Sequence, residues 1–349
     1  MKPLSQRIIV PGIVIIAVIA LGAFLYFGGF TAKQVQEKPK VIGIVGHLPI
    51  MDPVYKGFVE VMGELGYVEG KDVVYEYLRA EGDVSKLPEF TRRFVNERVD
   101  IIMPTSLTST KAVLKTVEEM GGTDIPIVFT NVNNPVEQGI VASFLSSGNN
   151  LTGVVTDFSN AVPKKLEFLK MIDPSIKKVA IFPAKFSDPA ADFMFAKIRE
   201  EAPKFDITLV EYYLNQPPGP LGLAEIKSVF ATIKPGDIDA LFQMPGPVVS
   251  IPPALDLFIT FTKERKIPGV FLLDQQTEAG GLFSYGYSMY DVGRQVAPYV
   301  DKVLKGARPT DLPLEYQAKN WLYINLKTAE ESGVTIPQSL ISIADKVIR

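Results

Sequence analysis

The sequence predicts an α/β protein in which an N-terminal transmembrane helix precedes two doubly wound lobes, each built on a parallel sheet. Three observations support this prediction. Short apolar runs alternate with longer amphipathic stretches from Val41 onward, as in βαβ units. The runs are apolar throughout, not at alternate positions only, which indicates strands buried on both faces of a parallel sheet. A second series of such runs begins at Lys178, and this favours two α/β units over one large sheet.

The first predicted element is the uncharged apolar segment 8–30, whose length falls within the roughly 17–25 residues that cross a bilayer as a helix. Lys2 and Arg7 precede it, and cations favour the cytoplasmic side, so the body is expected on the extracytoplasmic face of the cell membrane. A cleaved signal peptide is the alternative, and the protein would then be periplasmic or secreted. The segment 31–40 is polar and short, and is predicted to be a tether.

The first α/β series, residues 41–156, is predicted to form lobe 1. Its apolar runs are bounded by turn residues, and its amphipathic stretches have helical spacing. The predicted strands are 41–45, 73–77, 100–103 and 126–130, and the predicted helices lie near 54–65, 85–98 and 107–120.

The second series, residues 157–279 with 306–349, is predicted to form lobe 2. Its predicted strands are 178–182, 207–213, 238–243 and 269–273, with helices near 189–202, 221–233 and 251–265. The tail departs from simple alternation: it contains a predicted strand within 280–288, a helix over 289–305 and a last strand at 321–325. Pro298 falls inside the predicted tail helix and should kink it.

Composition excludes several function classes. The 349 residues carry a net charge of −3 without a basic run, which argues against nucleic-acid binding. The absence of cysteine and the presence of a single histidine exclude disulfides, thiolate metal sites and two-histidine metal sites. The sequence contains no nucleophile-elbow, P-loop or dinucleotide-binding motif, so we expect no catalytic residue, no resident metal and no cofactor.

Polar side chains follow the predicted strands of lobe 1, at the points where each strand ends. Thr105, Ser106 and Thr108 open a predicted helix, where hydroxyl and amide groups suit a polar or anionic ligand; plain N-capping of that helix is the alternative. Asn131 and Asn134 come after the next strand, where they could line a site or form an Asn-Pro turn. In open α/β sheets, ligands bind outside the carboxyl ends of the strands, where these loops lie.

Further candidates follow the other strands. His47 comes directly after the first strand, where a lone histidine is either a ligand contact or an ordinary loop residue. In the tail, Tyr285 and Tyr287 could stack on a ligand or pack at a hinge. The remaining candidate ligand contacts are Gln243, Asp274 and Ser288.

Four segments carry a resemblance to a known family. They are LGYVEGKDVVYEYLRAEGD (65–83), IPIVFTNVNNPVEQGIVASF (125–144), NLTGV (150–154) and GGLFSYGYSMYDVGRQVAPYVDKVLKGARPTDLP (280–313). They resemble the substrate-binding proteins of ABC transporters, and more narrowly the branch that includes tryptophan- and tyrosine-binding lipoproteins. The ending 324–348 fits the same pattern. The resemblance is collinear over nearly all of 41–349.

The resemblance implies a type I periplasmic-binding-protein fold: two lobes, linked by crossovers, that close around a ligand. It implies that lobe 1 takes back a tail segment, roughly 280–305. It also implies ligand contacts around 47–52, at 105–108, at 131–134 and near 156–157, all in loops that follow strands. Asp52, Thr156 and Asp157 are candidate ligand contacts on this ground.

Three positions depart from relatives that bind amino acids. Pro189-Ala190 stands where these commonly have an Asn-Ser pair, and Gly246-Pro247 where they often have Asp-Asn. Ser288 stands where they usually have an acid. Without that acid a buried ligand ammonium group would be unpaired, which favours a neutral or anionic organic ligand with an apolar part over an α-amino acid.

Together these features predict an extracytoplasmic solute-binding protein that delivers a small organic ligand to an ABC permease with its ATPase. The N-terminal helix would take the place of the lipid anchor and keep the receptor near its membrane partner. A sensory receptor subunit that signals through a partner protein is the alternative. An enzyme on the same fold is disfavoured, because the sequence offers no nucleophile, base or metal set.

Overall fold

The computed structural model describes residues 38–186 and 189–349. The predicted membrane helix at 8–30 and the tether up to residue 37 lie outside these ranges. Among the residues within them, no helix has both the length and the apolar character needed to cross a membrane. Residues 39–349 form one compact unit.

The first sheet contains strands that are apolar and mostly buried. They are β1 (Lys40–Gly46), β2 (Val73–Arg79), β3 (Ile101–Pro104), β4 (Ile127–Val132), β5 (Leu151–Val155) and β11 (Glu315–Tyr316). Their spatial order is β11–β5–β4–β3–β1–β2, and every paired neighbour runs parallel. Because the sheet is parallel, the carboxyl ends of all its strands share one edge.

The second sheet follows the same plan. Its strands are β6 (Lys178–Ile181), β7 (Thr208–Glu211), β8 (Ala240–Phe242), β9 (Gly269–Phe271), β10 (Phe283–Gly286), β12 (Trp321–Asn325) and β13 (Lys346–Ile348). Their order is β13–β12–β10–β9–β8–β6–β7. All neighbours pair parallel except β10 and β12, which pair antiparallel.

Helices connect the strands of each sheet. Around the first sheet lie α1 (Asp52–Glu64), α2 (Leu87–Glu97), α3 (Leu107–Glu119) and α10 (Met289–Leu304). Around the second lie α4 (Val162–Ile172), α5 (Pro189–Glu201), α6 (Pro220–Thr232), α7 (Pro247–Ser250), α8 (Pro252–Arg265), α9 (Asp274–Glu278), α11 (Leu326–Ser332) and α12 (Gln338–Ile343). Pro298 lies inside α10, which continues past it to Leu304.

Two glycines allow α10 to pack closely against α1. A Cβ on Gly57 would lie 2.1 Å from the carbonyl oxygen of Tyr290, and a Cβ on Gly293 would lie 2.0 Å from that of Val54. Both distances are too short for any real side chain. The backbones of α10 and α1 are therefore in direct contact.

Three crossovers connect the two sheets: 156–161 after β5, 287–288 after β10, and 317–320 after β11. Val155 at the end of β5 and Gly286 at the end of β10 each lead directly into a crossover. The carboxyl edges of both sheets therefore face the crossovers, and the loops at these edges lie at the junction of the two halves.

The predicted fold class is confirmed: the chain alternates strands and helices, and it builds two largely parallel sheets. Of the segment 280–305, expected to return to lobe 1, α10 packs on the first sheet. By contrast, β10 hydrogen-bonds between β9 and β12 in the second. Helices α4, α7 and α9 and strands β5, β11 and β13 were not predicted from the sequence.

Candidate functional site

The loop after β1 carries His47 and leads into α1 at Asp52. His47 is 9% exposed, and burial lowers the pKa of its imidazole. The Asp52 carboxylate accepts a hydrogen bond of 2.9 Å from the Tyr77 hydroxyl and forms an ion pair with Arg79. Because Asp52 already has these partners, His47 is the more available of the two side chains for a ligand.

The loop after β3 is organised by helix capping. Ser106 is the N-cap of α3: its hydroxyl accepts from the Ser109 amide at 3.1 Å, and the Ser109 hydroxyl accepts from the Ser106 amide at 3.0 Å. The capping alternative is therefore confirmed for Ser106. Thr105 is fully buried beside it, and Thr108 lies half-buried in the first turn of α3.

The carboxyl end of β4 and the loop that follows it contain the most informative polar atom of the first sheet. Asn131 lies within β4, next to its last residue, and not after the strand as predicted, whereas Asn134 lies in the loop. Asn131 and Asn134 have left-handed backbones, with φ of 53° and 48°. The Asn131 amide nitrogen donates to the carbonyl of Thr105 at 3.3 Å, which joins this loop to the preceding one. Its Oδ1 atom is buried and has no hydrogen-bond partner among the described residues. A buried acceptor of this kind costs free energy unless another molecule donates to it.

The crossovers contact one another. Asp157 accepts the backbone amides of Ser159 and Asn160, and its own amide donates to the Gln317 side chain at 3.1 Å. The ring of Tyr287, which is 1% exposed, lies 4.8 Å from that of Phe158. Thr156 is buried at the start of the first crossover. Tyr287 therefore lies at the junction, and one carboxylate oxygen of Asp157 is already hydrogen-bonded to the local backbone.

In the second sheet, Gln243 is fully buried after β8 and is bonded at both ends of its amide. Its nitrogen donates to the carbonyl of Val249 at 3.1 Å, and its oxygen accepts from the Leu272 amide at 3.2 Å. These bonds hold the loops after β8 and β9 together. Gln243 therefore shapes the edge of the second sheet.

Asp274 lies at the same edge, at the start of α9. Burial raises the pKa of its carboxyl, while hydrogen bonding by the Gln275 amide and the Ser288 hydroxyl acts in the opposite direction. Ser288 stands where amino-acid-binding relatives usually have an acid, and α9 brings the carboxylate of Asp274 next to it. The sequence could not reveal this, since 14 positions separate the two residues in the chain.

Three side chains in the segments that follow β8 and β9 also have buried polar atoms without a partner in the described part of the chain. They are the Ser250 hydroxyl and the amide nitrogens of Gln275 and Gln276. Each follows β8 or β9 by a few residues, so the rule that placed Asn131 at the first edge could have found them. With Asn131, they give both edges unused hydrogen-bonding capacity.

A groove of about 430 Å³ lies beside the crossovers. Tyr287 and Ser288 reach it, and the rest of its wall comes from α1, α10 and the third crossover. His47, Thr105 and Asn131 do not line it. No cluster of three or more metal-ligating side chains occurs within residues 38–186 and 189–349.

Two α/β halves, joined by three crossovers and collecting polar side chains at the facing strand ends, define a two-lobed binding protein. The sequence model of the family described as "ABC transporter substrate binding protein" matches residues 38–348, and the chain belongs to this family. The family is one of binding proteins, not enzymes, and ABC transporter substrate-binding proteins are extracytoplasmic.

Similar proteins agree with this assignment. The chain is 26% identical over 300 residues to the tyrosine-binding protein of Clostridioides difficile strain R20291, covering 85% of this chain and 81% of the relative. A conserved domain protein from Vibrio cholerae O1 biovar El Tor superposes with a TM-score of 0.75 at 25% identity, covering 89% of this chain and all of that one. An ABC domain from Streptococcus pneumonia in complex with L-Trp has the same fold, with a TM-score of 0.76 at 21% identity over 89% of this chain and 100% of that one.

Proposed function

We propose that this protein is the solute receptor of an ABC importer, which binds one small organic ligand between its lobes and delivers it to a membrane permease with its ATPase. The observation that carries the proposal is the unpaired acceptor of Asn131 at one sheet edge, together with the unpaired donors of Gln275 and Gln276 at the other. A ligand that satisfied both edges would remove the cost of burying these groups.

Closure of the lobes would be the functional motion. A ligand that contacts both edges stabilises the closed arrangement over any open one, because only the closed arrangement offers both sets of contacts. The crossovers would serve as the hinge, with the Asp157–Gln317 hydrogen bond and the Phe158–Tyr287 ring contact keeping the three segments in register.

Aromatic amino acids are the first ligands to try. One relative is named a tyrosine-binding protein, and one protein of the same fold was solved with L-Trp. Ser288 has no negative charge to pair with a ligand ammonium group. The Asp274 carboxylate beside it would provide that charge. Neutral and anionic organic molecules with an apolar part are the other candidate ligands, because the rings of Tyr287 and Phe158 lie at the junction and could pack against an apolar group.

The membrane role rests on the apolar run at 8–30. We expect it to hold the receptor at the extracytoplasmic face, close to the permease. Fractionation of cells expressing the full chain should find the protein in the membrane pellet, and removal of residues 1–37 should release it. Full-length protein that is recovered in the soluble fraction would contradict the anchor.

Ligand-dependent thermal unfolding of residues 38–349 tests the binding function. The panel contains amino acids, nucleosides, vitamins, sugars and organic acids. Saturation at a hundredfold excess over Kd adds about 2.7 kcal/mol to the free energy of unfolding, which for lobes of about 150 residues is a rise of about 5–10 °C in Tm. A rise with one chemical class supports the proposal, and a flat response to the whole panel counts against it.

Site variants give the matched comparison. Because Asn131 and Asn134 have positive φ, glycine removes the amides without backbone strain, whereas alanine would add it. Asn131→Gly with Asn134→Gly should weaken binding at least about tenfold. Lys266→Gly is the control, since Lys266 also has positive φ and is exposed at the end of α8. Unchanged affinity in the double variant would remove this loop from the site.

A further inference from the structure

Lys165 is a lysine where helix α4 should carry an apolar residue. It shares the buried face of the helix with Val162, Leu166 and Leu169, which follow the spacing of a core-facing stripe. Its side chain is 1% exposed, whereas the neighbouring Lys164 side chain is 42% exposed and pairs with Glu167. A lysine this deeply buried is rare unless its amine has a partner.

The amine of Lys165 lies at the edge of the second sheet that faces the crossovers. Helix α4 begins where the first crossover ends, and side chains in a helix lean toward its N-terminus. The Nζ atom lies 5.5 Å from the ring centroid of Phe242, which is the last residue of β8. Gln243 comes next in the chain, so the amine lies at the strand ends that bear the candidate site.

Among residues 38–186 and 189–349, no anionic side chain pairs with this amine. Throughout the described parts of the chain, no hydrogen bond or ion pair joins it to another residue, and its contact is with the face of an aromatic ring. Burial lowers the pKa of Lys165 to about 7, and no charged neighbour contributes to that shift. A cation–π contact alone is weak compensation for removing an ammonium group from water.

We propose that Lys165 is a ligand-binding residue that pairs with a carboxylate group of the transported solute. This inference rests on the proposed receptor function and deepens it by naming the ligand class: organic molecules that carry a carboxylate beside an apolar body. A carboxylate would neutralise the amine, accept its hydrogen bonds and fix the ligand against the second lobe. A neutral ligand would leave the cation unpaired.

The test compares three forms of residues 38–349: wild type, Lys165→Met and Lys165→Arg. Each is titrated calorimetrically with L-tyrosine, L-tryptophan, 3-(4-hydroxyphenyl)propionate, octanoate and succinate, and with the primary amides of these acids. Wild type should bind at least one acid and prefer it to its amide. Because Lys165→Met removes one partner of a buried ion pair, it should lower the affinity for that acid by about 30-fold or more. The affinity for the corresponding amide should not change.

Two controls separate a binding role from a structural one. Lys164→Met removes the adjacent exposed lysine and should leave acid binding unchanged. Lys165→Arg keeps the positive charge and should retain part of the acid preference that Lys165→Met loses. Circular dichroism of each variant checks that it folds, and a methionine on this apolar face is expected to be well tolerated.

Several outcomes would overturn the inference. Equal affinity of wild type and Lys165→Met for the acid would do so, and so would a wild type that binds none of the acids. If an uncharged compound from the wider thermal panel binds wild type and Lys165→Met equally, the receptor function stands and the role of Lys165 fails. If nothing in that wider panel binds, both fail together.

Discussion

Asn131 and Lys165 determine the chemistry proposed for the site. Asn131 has a buried oxygen without a hydrogen-bond partner in the described chain, and Lys165 is a buried lysine whose described contact is with an aromatic ring. Asn131 was predicted from the sequence, since it directly follows the predicted strand 126–130; the structure extends β4 to Val132, so Asn131 lies near the carboxyl end of the strand. Lys165 was not predicted, because candidate residues were sought only in the loops that follow strands, and Lys165 lies in a helix. Its signal was present as a lysine within the apolar spacing of Val162, Leu166 and Leu169.

Other single residues show where sequence reasoning about a site is limited. Ser106 and Gln243 follow strands as a ligand contact should, but Ser106 caps a helix and Gln243 ties two loops together. Residue type and position did not distinguish these roles from ligand binding. The proximity of Asp274 and Ser288 could not be predicted either, because it arises from α9 and α10 beginning at the same edge of the second sheet.

The buried amine predicts a pH-dependent stability. In the unfolded chain the lysine titrates near 10.5, whereas in the folded protein its pKa is lowered to about 7. Between these values the unfolded state binds the extra proton, so wild-type stability rises with pH through this window and carries the full penalty below it. Lys165→Met should therefore raise the free energy of unfolding by about 2–5 kcal/mol at pH 6 and by much less at pH 10.

Urea unfolding at the two pH values measures this difference, with Lys164→Met as the control whose effect should not change between them. Since the apolar gain from methionine is the same at both values, only the change with pH reports the amine. An equal gain at pH 6 and pH 10 would show that burial does not hold the Lys165 amine uncharged.

At the level of elements, the packing of α10 on α1 depends on Gly57 and Gly293. Gly57→Ala or Gly293→Ala would force the two helix backbones apart, and each should destabilise the protein by about 3 kcal/mol or more. Gly63→Ala is the control in the same helix, because its Cβ would meet nothing within 4 Å. It should add about 0.5–1 kcal/mol through helix propensity.

Thermal unfolding of the three variants checks this contrast. Comparable stability of Gly57→Ala and Gly63→Ala would mean that the helices can separate at little cost. The tail helix would then not be firmly fixed to the first sheet.

The elements that sequence reasoning found are those with long, uniform patterns, such as β1, α3 and α10. Strands β11 and β13 escaped because they span only Glu315–Tyr316 and Lys346–Ile348, too short to show any period. Strand β5 escaped because Gly153 interrupts its apolar run. Pairing with neighbours, not local preference, determines these strands.

At the level of the whole molecule, the three crossovers make closure the natural response to a ligand. Small-angle scattering of residues 38–349 should show a smaller radius of gyration when a binding compound saturates the protein. Gln317→Ala removes the side chain that bonds the Asp157 amide and should change the unliganded radius more than the liganded one. A radius that is identical with and without bound ligand would contradict closure.

The architecture was accessible from the sequence because repeated αβ alternation has few stable arrangements. The ligand was not, because its recognition depends on a few atoms that converge from distant segments. The unpaired groups at the two sheet edges indicate that the ligand is a molecule that both donates and accepts hydrogen bonds.

We expect this protein to bind a solute reversibly and not to transform it. The most direct test is a calorimetric titration of residues 38–349 with the compound that gives the largest thermal shift, followed by chromatography of the recovered compound. We predict one saturable site per chain and full recovery of unchanged compound. Absence of saturable binding for every compound of the panel, or conversion of the compound into a product, would contradict the account.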